Sequence, residues 1–387
     1  MLVFKVLLWA SIFLIFYSFI GYPISLIMLN KIIKKKSIEK DSNLTPFVSV
    51  IIPAHNEEDV IEDKLKNLIS LNYPKNLMET IIASDNSTDS TNQIVEKFIE
   101  ENKEYDINLY KVNKRQGKTN AQNEAVKIAK GDILMFSDAN AMLDRDSVQQ
   151  LVSSFVSKDI IYVTGRLRYV NNIKKASSEA ENRYWNYDLT MRKIESDIQT
   201  ITAGNGAIYA IRKSEYIDFD PIRCHDSAMP LYAGINNKRA IYNENALAYE
   251  KAGETSQDEF KRKVRMFRGI LRAIFETPKK YNIIKNGWFS YFYFGHRTLR
   301  NSLFILHIIC FIMNLLVIKQ SIFYNLIFFM QCLFYFLALS KKFFGFENKL
   351  FYYPYYYSMT LIAQLVGAIN QLTGKSKPFW EKAESTR

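Results

Sequence analysis

Four long stretches without a charged residue constrain the fold of this 387-residue chain more than any other feature. They cover residues 6–30, 301–318, 320–340 and 350–374, and Lys or Arg flanks each of them. A stretch of roughly 18 or more mostly apolar residues is long enough to cross a bilayer as a helix. A single such stretch is compatible with a buried core helix. Four of them indicate a membrane protein, with apolar segments at both ends and a water-soluble domain between them.

The first stretch is predicted to be a membrane anchor rather than a signal peptide. Its apolar core is too long for a signal peptide, and no small-residue cleavage site follows it. It runs instead into a basic segment, residues 31–36, which is typical of a cytosolic flank. We therefore expect the domain that follows to lie in the cytosol.

Composition and spacing divide the chain into six predicted parts. These are an N-terminal transmembrane anchor (1–30), a basic linker (31–45), a water-soluble domain (46–285), an amphipathic interfacial segment (286–300), a C-terminal membrane region of two to three helices (301–374) and a tail (375–387). If all three C-terminal stretches cross the membrane, the lysines of the tail lie outside, against the positive-inside tendency. Residues 350–374 are therefore open to a second interpretation, as an interfacial or re-entrant segment.

The formal net charge of +12 limits the partners of the soluble domain. Anionic lipid and phosphorylated substrates are the two partners that such a charge favours. We expect no nucleic acid, because the domain has no basic run with interleaved aromatic residues and no nucleic-acid-binding module. The three cysteines are scattered without metal-ligand spacing, which fits a reducing compartment.

The domain begins with a regular alternation of strand and helix patterns. Strands are predicted at 47–52, 80–83, 108–112 and 133–136, and helices at 57–70, 91–100 and 118–129. This alternation predicts an α/β fold with a mostly parallel sheet and helices on both faces. Beyond residue 150 the pattern weakens. It predicts strands at 160–164 and 208–211, a polar helix at 175–197 and a basic amphipathic helix at 257–275.

Polar side chains follow the strand at 133–136, in the order Ser137-Asp138-Ala139-Asn140. Ligands bind beyond the carboxyl ends of the strands in open α/β sheets. Asp138 and Asn140 are two residues apart, so an extended chain turns both side chains the same way. A carboxylate and an amide oxygen suit Mg²⁺ or Mn²⁺, which usually takes further oxygens from a substrate's phosphates.

Several other polar positions admit a structural and a functional interpretation. Asp85 lies in a Ser/Thr/Asp-rich turn that can cap a helix, or it accepts a hydrogen bond from a nucleotide's base or ribose. Glu57 suits the positive end of a helix, or it holds ribose hydroxyls. Lys118 opens a helix after Gly117, which is a phosphate site in principle, although the glycine spacing is not that of a P-loop.

Asp226 and an arginine pair complete the set of candidates. Asp226 is either a helix cap or a general base that takes a proton from an attacking hydroxyl. Arg262 and Arg265 share one face of a helix. They form either a solvated basic face on the membrane or a clamp for a pyrophosphate. Taken alone, each of these segments favours the structural interpretation.

The order of these motifs resembles the family-2 glycosyltransferases with the GT-A fold. More narrowly, it resembles the membrane-integral branch that includes cellulose, hyaluronan and poly-N-acetylglucosamine synthases. The resemblance covers about residues 46–275, and the flanking apolar segments match that branch too. Its most specific matches are Val48-Ser49-Val50-Ile51-Ile52-Pro53-Ala54-His55-Asn56-Glu57, Ser84-Asp85-Asn86-Ser87-Thr88-Asp89, Gly117-Lys118 and Ser137-Asp138-Ala139-Asn140.

The resemblance implies a role for each matching residue. The base and ribose of a nucleotide sugar would be bordered by Pro53, Ala54 and Glu57; Asp85 would bind the base, and Lys118 would lie near the nucleotide. The metal would be held by Asp138 with Asn140, and the diphosphate by Arg262 and Arg265. The acceptor would be bordered by Gly204, Asn205 and Gly206, and Asp226 would be the general base. The implied cofactor is Mg²⁺ or Mn²⁺.

Three positions depart from the family pattern. Asn140 replaces the second aspartate of the D-x-D motif, which implies weaker binding of the metal rather than none. His225 stands where the family usually has an acidic residue. Met266 replaces a tryptophan that helps to hold the acceptor sugar in the polymerising synthases, which puts repeated addition in doubt.

The resemblance implies an inverting hexosyltransferase whose expected donor is a UDP-sugar. Its acceptor would be lipid-linked or a growing polysaccharide at a bacterial cell membrane, in the synthesis of cell-surface or extracellular polysaccharide. Two alternatives stay open. One is a nucleotide-binding membrane transport or scaffold protein without transfer activity. The other is a nucleotidyltransferase, a class that favours a glycine-rich phosphate loop near the first strand, which this chain lacks.

Overall fold

A single mixed sheet forms the centre of the domain between the apolar ends. The structure is a computed structural model, and it describes residues 1–170, 176–251, 256–346 and 348–379. Within these ranges the sheet has eight strands: β1 (Val48–Ala54), β2 (Met78–Ser84), β3 (Asp106–Lys111), β4 (Ile133–Ser137), β5 (Met142–Leu143), β6 (Ile160–Tyr169), β7 (Ile208–Arg212) and β8 (Arg239–Glu250).

The strands are ordered β3-β2-β1-β4-β7-β6-β8-β5 across the sheet. The first four pair in parallel, as the alternation of strand and helix patterns predicts. β7 then runs antiparallel to both β4 and β6, while β8 runs parallel to β6 and antiparallel to β5. The predicted α/β sheet is confirmed, with a parallel half and a mixed half.

Helices pack on both faces of this sheet, and others form the apolar ends of the chain. The α-helices of the described residues are α1 (Leu2–Phe16), α2 (Tyr22–Ile32), α3 (Ile61–Ile69), α4 (Thr91–Glu101), α5 (Lys118–Ile128), α6 (Ser147–Val152), α7 (Ala176–Ile198), α8 (His225–Ile235), α9 (Ser256–Met266), α10 (Ile270–Phe275), α11 (Ile283–Asn286), α12 (Trp288–Phe292), α13 (Leu299–Asn301), α14 (Leu303–Val317), α15 (Ile322–Phe344) and α16 (Lys349–Leu372). The apolar faces of α3, α4 and α6 form one core with the sheet, and those of α5 and α8 form a second core.

The predicted continuous helix at 257–275 is wrong, because the chain turns between α9 and α10. Gly269 precedes the first residue of α10 with φ −117° and ψ 24°, outside the helical conformation. Glycine loses more backbone entropy in a helix than other residues do, so it is a natural point of interruption.

Three helical segments in the described chain are long and apolar enough to cross a membrane. They are Leu2–Ile32, which joins α1 and α2 through a π-helical turn, Leu303–Gln320 and Ile322–Phe344. The fourth uncharged stretch forms α16, which is not one of them. It packs instead on the domain, where Tyr356 donates to Glu259 at 3.3 Å and Gln371 accepts the Leu271 N–H at 3.0 Å.

Candidate functional site

The carboxyl ends of β1 and β2 are tied together by Asp85. Its N–H donates to the Ala54 carbonyl at 2.8 Å. Asp85 is 3% exposed, and its carboxylate accepts hydrogen bonds from the N–H groups of Gln116 at 2.9 Å and Gly117 at 2.7 Å. Asp85 therefore anchors the loop that leads into α5. Gly117 has φ +94°, a conformation that favours glycine.

At this edge, residues other than Asp85 bind the free N–H groups at the start of α4. Asp89 accepts the N–H of Thr91, the first residue of α4, at 3.0 Å. Glu57 is 8% exposed, and its N–H donates to the Thr91 hydroxyl at 2.8 Å. A residue this buried is not part of a solvated first turn. Pro53 and Ala54 lie beside it at the end of β1.

Lys118, Asp138, Gly206 and Asp226 surround one small space at this edge of the sheet. The Lys118 ammonium donates to the Asp138 carboxylate and, at 3.2 Å, to the Gly206 carbonyl. A Cβ atom built on Gly206 would lie 3.4 Å from Lys118 Nζ and 3.5 Å from Asp226 Oδ2. The structure thus brings together four positions that the sequence places in four different segments.

The charges around this space shift the pKa values of Lys118 and Asp226. Burial alone would lower the pKa of Lys118, but the carboxylates of Asp138 and Asp226 raise it above its usual value. Burial raises the pKa of Asp226, while Lys118 and Arg297 oppose that change. A carboxylate with a raised pKa is a better proton acceptor near neutral pH. The N-cap of α8 is Cys224, whose side chain makes no cap hydrogen bond, and Asp226 is the second residue of the helix rather than its cap.

His225, the residue before Asp226, is part of the buried core. Its Nδ1 lies 3.1 Å from the Tyr209 hydroxyl, and its Nε2 lies 3.2 Å from the Tyr216 hydroxyl. Burial, reinforced by the charge of Lys118, lowers the pKa of His225 to about 3, so the ring is neutral. These contacts fix the start of α8 and with it the position of Asp226.

The loop that precedes β7 is held close to Asp226. The Gly204 N–H donates to the Asp226 carbonyl at 2.6 Å, and the Asn205 N–H donates to the Thr164 hydroxyl at 2.9 Å. A Cβ atom on Gly204 would lie 1.9 Å from the Tyr162 hydroxyl oxygen, so only glycine fits there. The three predicted acceptor residues therefore lie at the rim of the same space.

Asp138 and Asn140 fit a divalent cation that also binds phosphate oxygens. The Asp138 side chain is 31% exposed. The Asn140 amide nitrogen donates to Glu250 at 2.7 Å, which leaves the amide oxygen as the end able to bind a metal. Among the described residues, no group of three or more His, Cys, Asp or Glu could hold a metal by itself. Such a donor set matches Mg²⁺ or Mn²⁺ shared with a diphosphate.

The two candidate arginines lie in different surroundings. Arg262 pairs with Glu259 within α9, with its Nε at 2.6 Å and its Nη2 at 2.8 Å from the carboxylate oxygens. Burial and the neighbouring Arg262 lower the pKa of Arg265 to about 10, whereas the charge of Asp138 raises it. Arg265, like Arg262, is partly buried rather than fully solvated.

Two further contacts at this edge have no signal in the sequence. Lys64 of α3 is fully buried below the turn that carries Asp138. The C-terminal segment also reaches the site, since the Pro378 carbonyl accepts from Arg268 at 3.0 Å and the Arg115 guanidinium lies 4.8 Å from the Phe379 ring centroid. An isolated lysine in a helix pattern and a tail after an apolar helix both look solvent-exposed in the sequence.

Comparison with known proteins gives consistent similarities over this domain. The family profile described as Glycosyl transferase family 2 matches residues 49–216. The chain is 37% identical over 134 residues to the probable glycosyltransferase YdaM of Bacillus subtilis (strain 168). It is 27% identical over 242 residues to the poly-beta-1,6-N-acetyl-D-glucosamine synthase of Staphylococcus aureus (strain MSSA476). These matches cover 33% and 60% of this chain, and 31% and 57% of the two relatives.

A solved structure resembles nearly the whole chain. It is the mannosyltransferase PcManGT from Pyrobaculum calidifontis in complex with GDP-Man and Mn²⁺, with a TM-score of 0.72 over 95% of this chain and 99% of that chain. The sequence identity is 19%, so this likeness concerns the fold alone.

Proposed function

Residues 49–216 form a glycosyltransferase family 2 domain, and we therefore propose that the chain is a membrane-bound, inverting glycosyltransferase. The family and the GT-A fold that the sequence predicts are both confirmed. In the proposed reaction a sugar moves from a nucleotide-diphosphate sugar, most simply a UDP-sugar, to a lipid-linked or growing-glycan acceptor.

The donor would bind along the edge formed by β1, β2 and β4. Pro53, Ala54 and Glu57 border the nucleoside, and Asp85 holds the loop that closes this side. Lys118 and Arg265 offer positive charge to the diphosphate, where charge-assisted hydrogen bonds are strong. Arg262 belongs to the same proposed group and would have to leave Glu259 to join it.

Asp138 and Asn140 would hold Mg²⁺ or Mn²⁺ against the diphosphate. A divalent cation at this position supplies charge that stabilises the departing nucleotide. The protein supplies the remaining contacts: Lys118 keeps the Asp138 carboxylate in place, and the Gly204–Gly206 loop borders the acceptor.

The observation that carries the proposal is the position of Asp226. Its carboxylate faces the same small space as Lys118 and Gly206, and its pKa is raised by burial. An acceptor hydroxyl in that space gives its proton to Asp226 while its oxygen attacks the anomeric carbon, and the bond from that carbon to the diphosphate oxygen breaks on the opposite side, which releases the nucleoside diphosphate. In-line attack by a free hydroxyl inverts the configuration of that carbon.

The proposed topology places the domain and the C-terminal tail in the cytosol. Three crossing segments put residue 1 on the far side and return the chain to the domain side after α15. The contacts of Ser376 and Pro378 with Arg268 support this arrangement, because they hold the tail against the domain. The lysines of the tail then follow the positive-inside tendency. In this arrangement α16 lies along the membrane surface.

The test is the Asp226→Asn variant of the full chain in membranes or detergent. Loss of a general base lowers transfer by about 10²- to 10⁴-fold, measured as release of nucleoside diphosphate from a panel of UDP- and GDP-sugars. Asp220→Asn is the matched control, because Asp220 is exposed and pairs with Arg272 outside the site. Full activity of Asp226→Asn would refute the assignment of the base. A wild-type protein that binds a nucleotide sugar without releasing any product would favour the transport or scaffold alternative.

A further inference from the structure

Lys64 occupies a position where a lysine is costly. It lies inside α3, whose neighbouring core positions are the apolar Ile61, Leu65 and Leu68, and its side chain is 0% exposed. Burying an ammonium group without compensating contacts is strongly unfavourable. Burial lowers the pKa of Lys64 to about 7. An apolar side chain at this position would fill the core at no such cost, so the contacts of the amine need an explanation.

The amine of Lys64 contacts both ends of one turn. It donates to the Ser137 hydroxyl at 2.9 Å and to the Ala141 carbonyl. The Ser137–Ala141 turn between these two acceptors carries Asp138 and Asn140. The turn is closed on itself by the Ala141 N–H, which donates to the Asp138 carbonyl at 3.2 Å.

A second residue of α3 continues the same attachment. Asn67 lies three positions after Lys64 and therefore on the same helix face. Its amide nitrogen donates to the Leu143 carbonyl at 2.8 Å, and its amide oxygen accepts the Leu143 N–H at 2.8 Å. One face of α3 thus holds the chain from Ser137 to Leu143 through side-chain hydrogen bonds.

We propose that Lys64 is a positioning residue that sets the Ser137–Ala141 turn so that Asp138 and Asn140 face one bound cation. The inference rests on the proposed function, in which these two side chains bind a divalent cation together with the donor's diphosphate. Lys64 touches neither cation nor donor; it acts through the shape of the turn. Groups that orient metal ligands typically contribute about 10- to 100-fold to metal affinity.

The charge of Lys64 and its positioning of the turn predict opposite effects on cation affinity when Lys64 is replaced. Removing a positive group near Asp138 would by itself strengthen the attraction of that carboxylate for a cation. Releasing the turn would weaken binding, because the two ligands would no longer be held together. The direction of the change in affinity therefore distinguishes the two effects.

The test compares Mn²⁺ binding to the full-length wild type and to Lys64→Met, a variant of similar length that fits an apolar core. Free Mn²⁺ is measured by electron paramagnetic resonance in detergent, with saturating UDP or GDP present. The expected result is about 10- to 100-fold weaker Mn²⁺ binding by Lys64→Met. Leu68→Ala is the control: it removes packing from the same helix and should leave Mn²⁺ affinity unchanged.

Equal or tighter Mn²⁺ binding by Lys64→Met would overturn the inference. If that variant does not fold, Ser137→Ala removes one of the two acceptors of Lys64 and should weaken Mn²⁺ binding to a smaller extent; an unchanged affinity there would count equally against it. A wild type that binds no Mn²⁺ with either nucleotide would overturn the proposed metal site and this inference together. Normal wild-type binding with no effect of Lys64 would overturn this inference alone.

Discussion

Replacing Gly206 with alanine should lower activity while leaving the fold intact or slightly more stable. The φ angle of Gly206 is outside the left-handed region, so alanine can adopt its backbone conformation. The new Cβ atom would lie 3.4 Å from Lys118 Nζ and 3.5 Å from Asp226 Oδ2, which is ordinary van der Waals contact. No neighbour has to move. The methyl group nevertheless occupies the space between the ammonium and the carboxylate.

The gain in stability and the loss of activity can be measured separately. A compatible Gly-to-Ala change raises the free energy of unfolding by about 0.4–1 kcal/mol, because the unfolded chain loses freedom. That corresponds to a rise in melting temperature of about 1–4 °C for a domain of this size. Displacing an acceptor hydroxyl by about 1 Å lowers the transfer rate by about 100-fold. Thermal unfolding and the release of nucleoside diphosphate at saturating donor report these two quantities.

Gly204→Ala provides the contrast, since its Cβ atom would come within 1.9 Å of the Tyr162 hydroxyl oxygen. This variant should lose both stability and activity. Wild-type transfer by Gly206→Ala would show that the acceptor does not react in the space between Lys118 and Asp226. A melting temperature several degrees lower would show that the packing around Gly206 is tighter than the structure indicates.

Two further variants test the electrostatics of the site. Lys118→Met removes the charge that lowers the pKa of Asp226. The acidic limb of its rate–pH profile, normalised to its own maximum, should therefore move to higher pH, and a shift to lower pH would contradict the assignment of the base. Asp85→Asn turns an amide NH₂ group toward backbone N–H donors at a buried site. It should lower the free energy of unfolding by about 1–3 kcal/mol in chemical denaturation, and an unchanged stability would mean that the carboxylate does not anchor the loop.

The parallel half of the sheet was predictable because its three inner strands, β1, β2 and β4, each contain an apolar run that is followed by a polar motif. β2 and β4 are buried along their whole length, as strands covered on both faces must be. Asp85 and Asp138 follow these runs directly, so their common edge follows from the alternation of strand and helix. The site residues in this half needed no knowledge of tertiary contacts.

The mixed half was harder to predict, because β6 and β7 contain apolar runs but β8 does not. β8 spans Arg239–Glu250 and contains Asn243-Glu244-Asn245 in its middle, which interrupts any apolar run. Lys64 shows the same limit at the level of a single residue. Its spacing places it in a helix, but only the tertiary structure shows that the amine reaches a turn more than seventy residues further along the chain.

The meeting of Asp138 with the Gly204–Gly206 loop and Asp226 follows from the register of one antiparallel strand pair. β4 and β7 pair with Ser137 opposite Ile208. In an antiparallel pair, the residues that follow one strand lie beside those that precede the other, so Asp138 comes next to the Gly204–Gly206 loop. The Gly204 N–H then holds the backbone of Asp226 at 2.6 Å. A slip of one residue would turn every β7 side chain to the opposite face of the sheet. That would move the loop away from Lys118, so the register that buries Ile208 and Ala210 in the core also assembles the site.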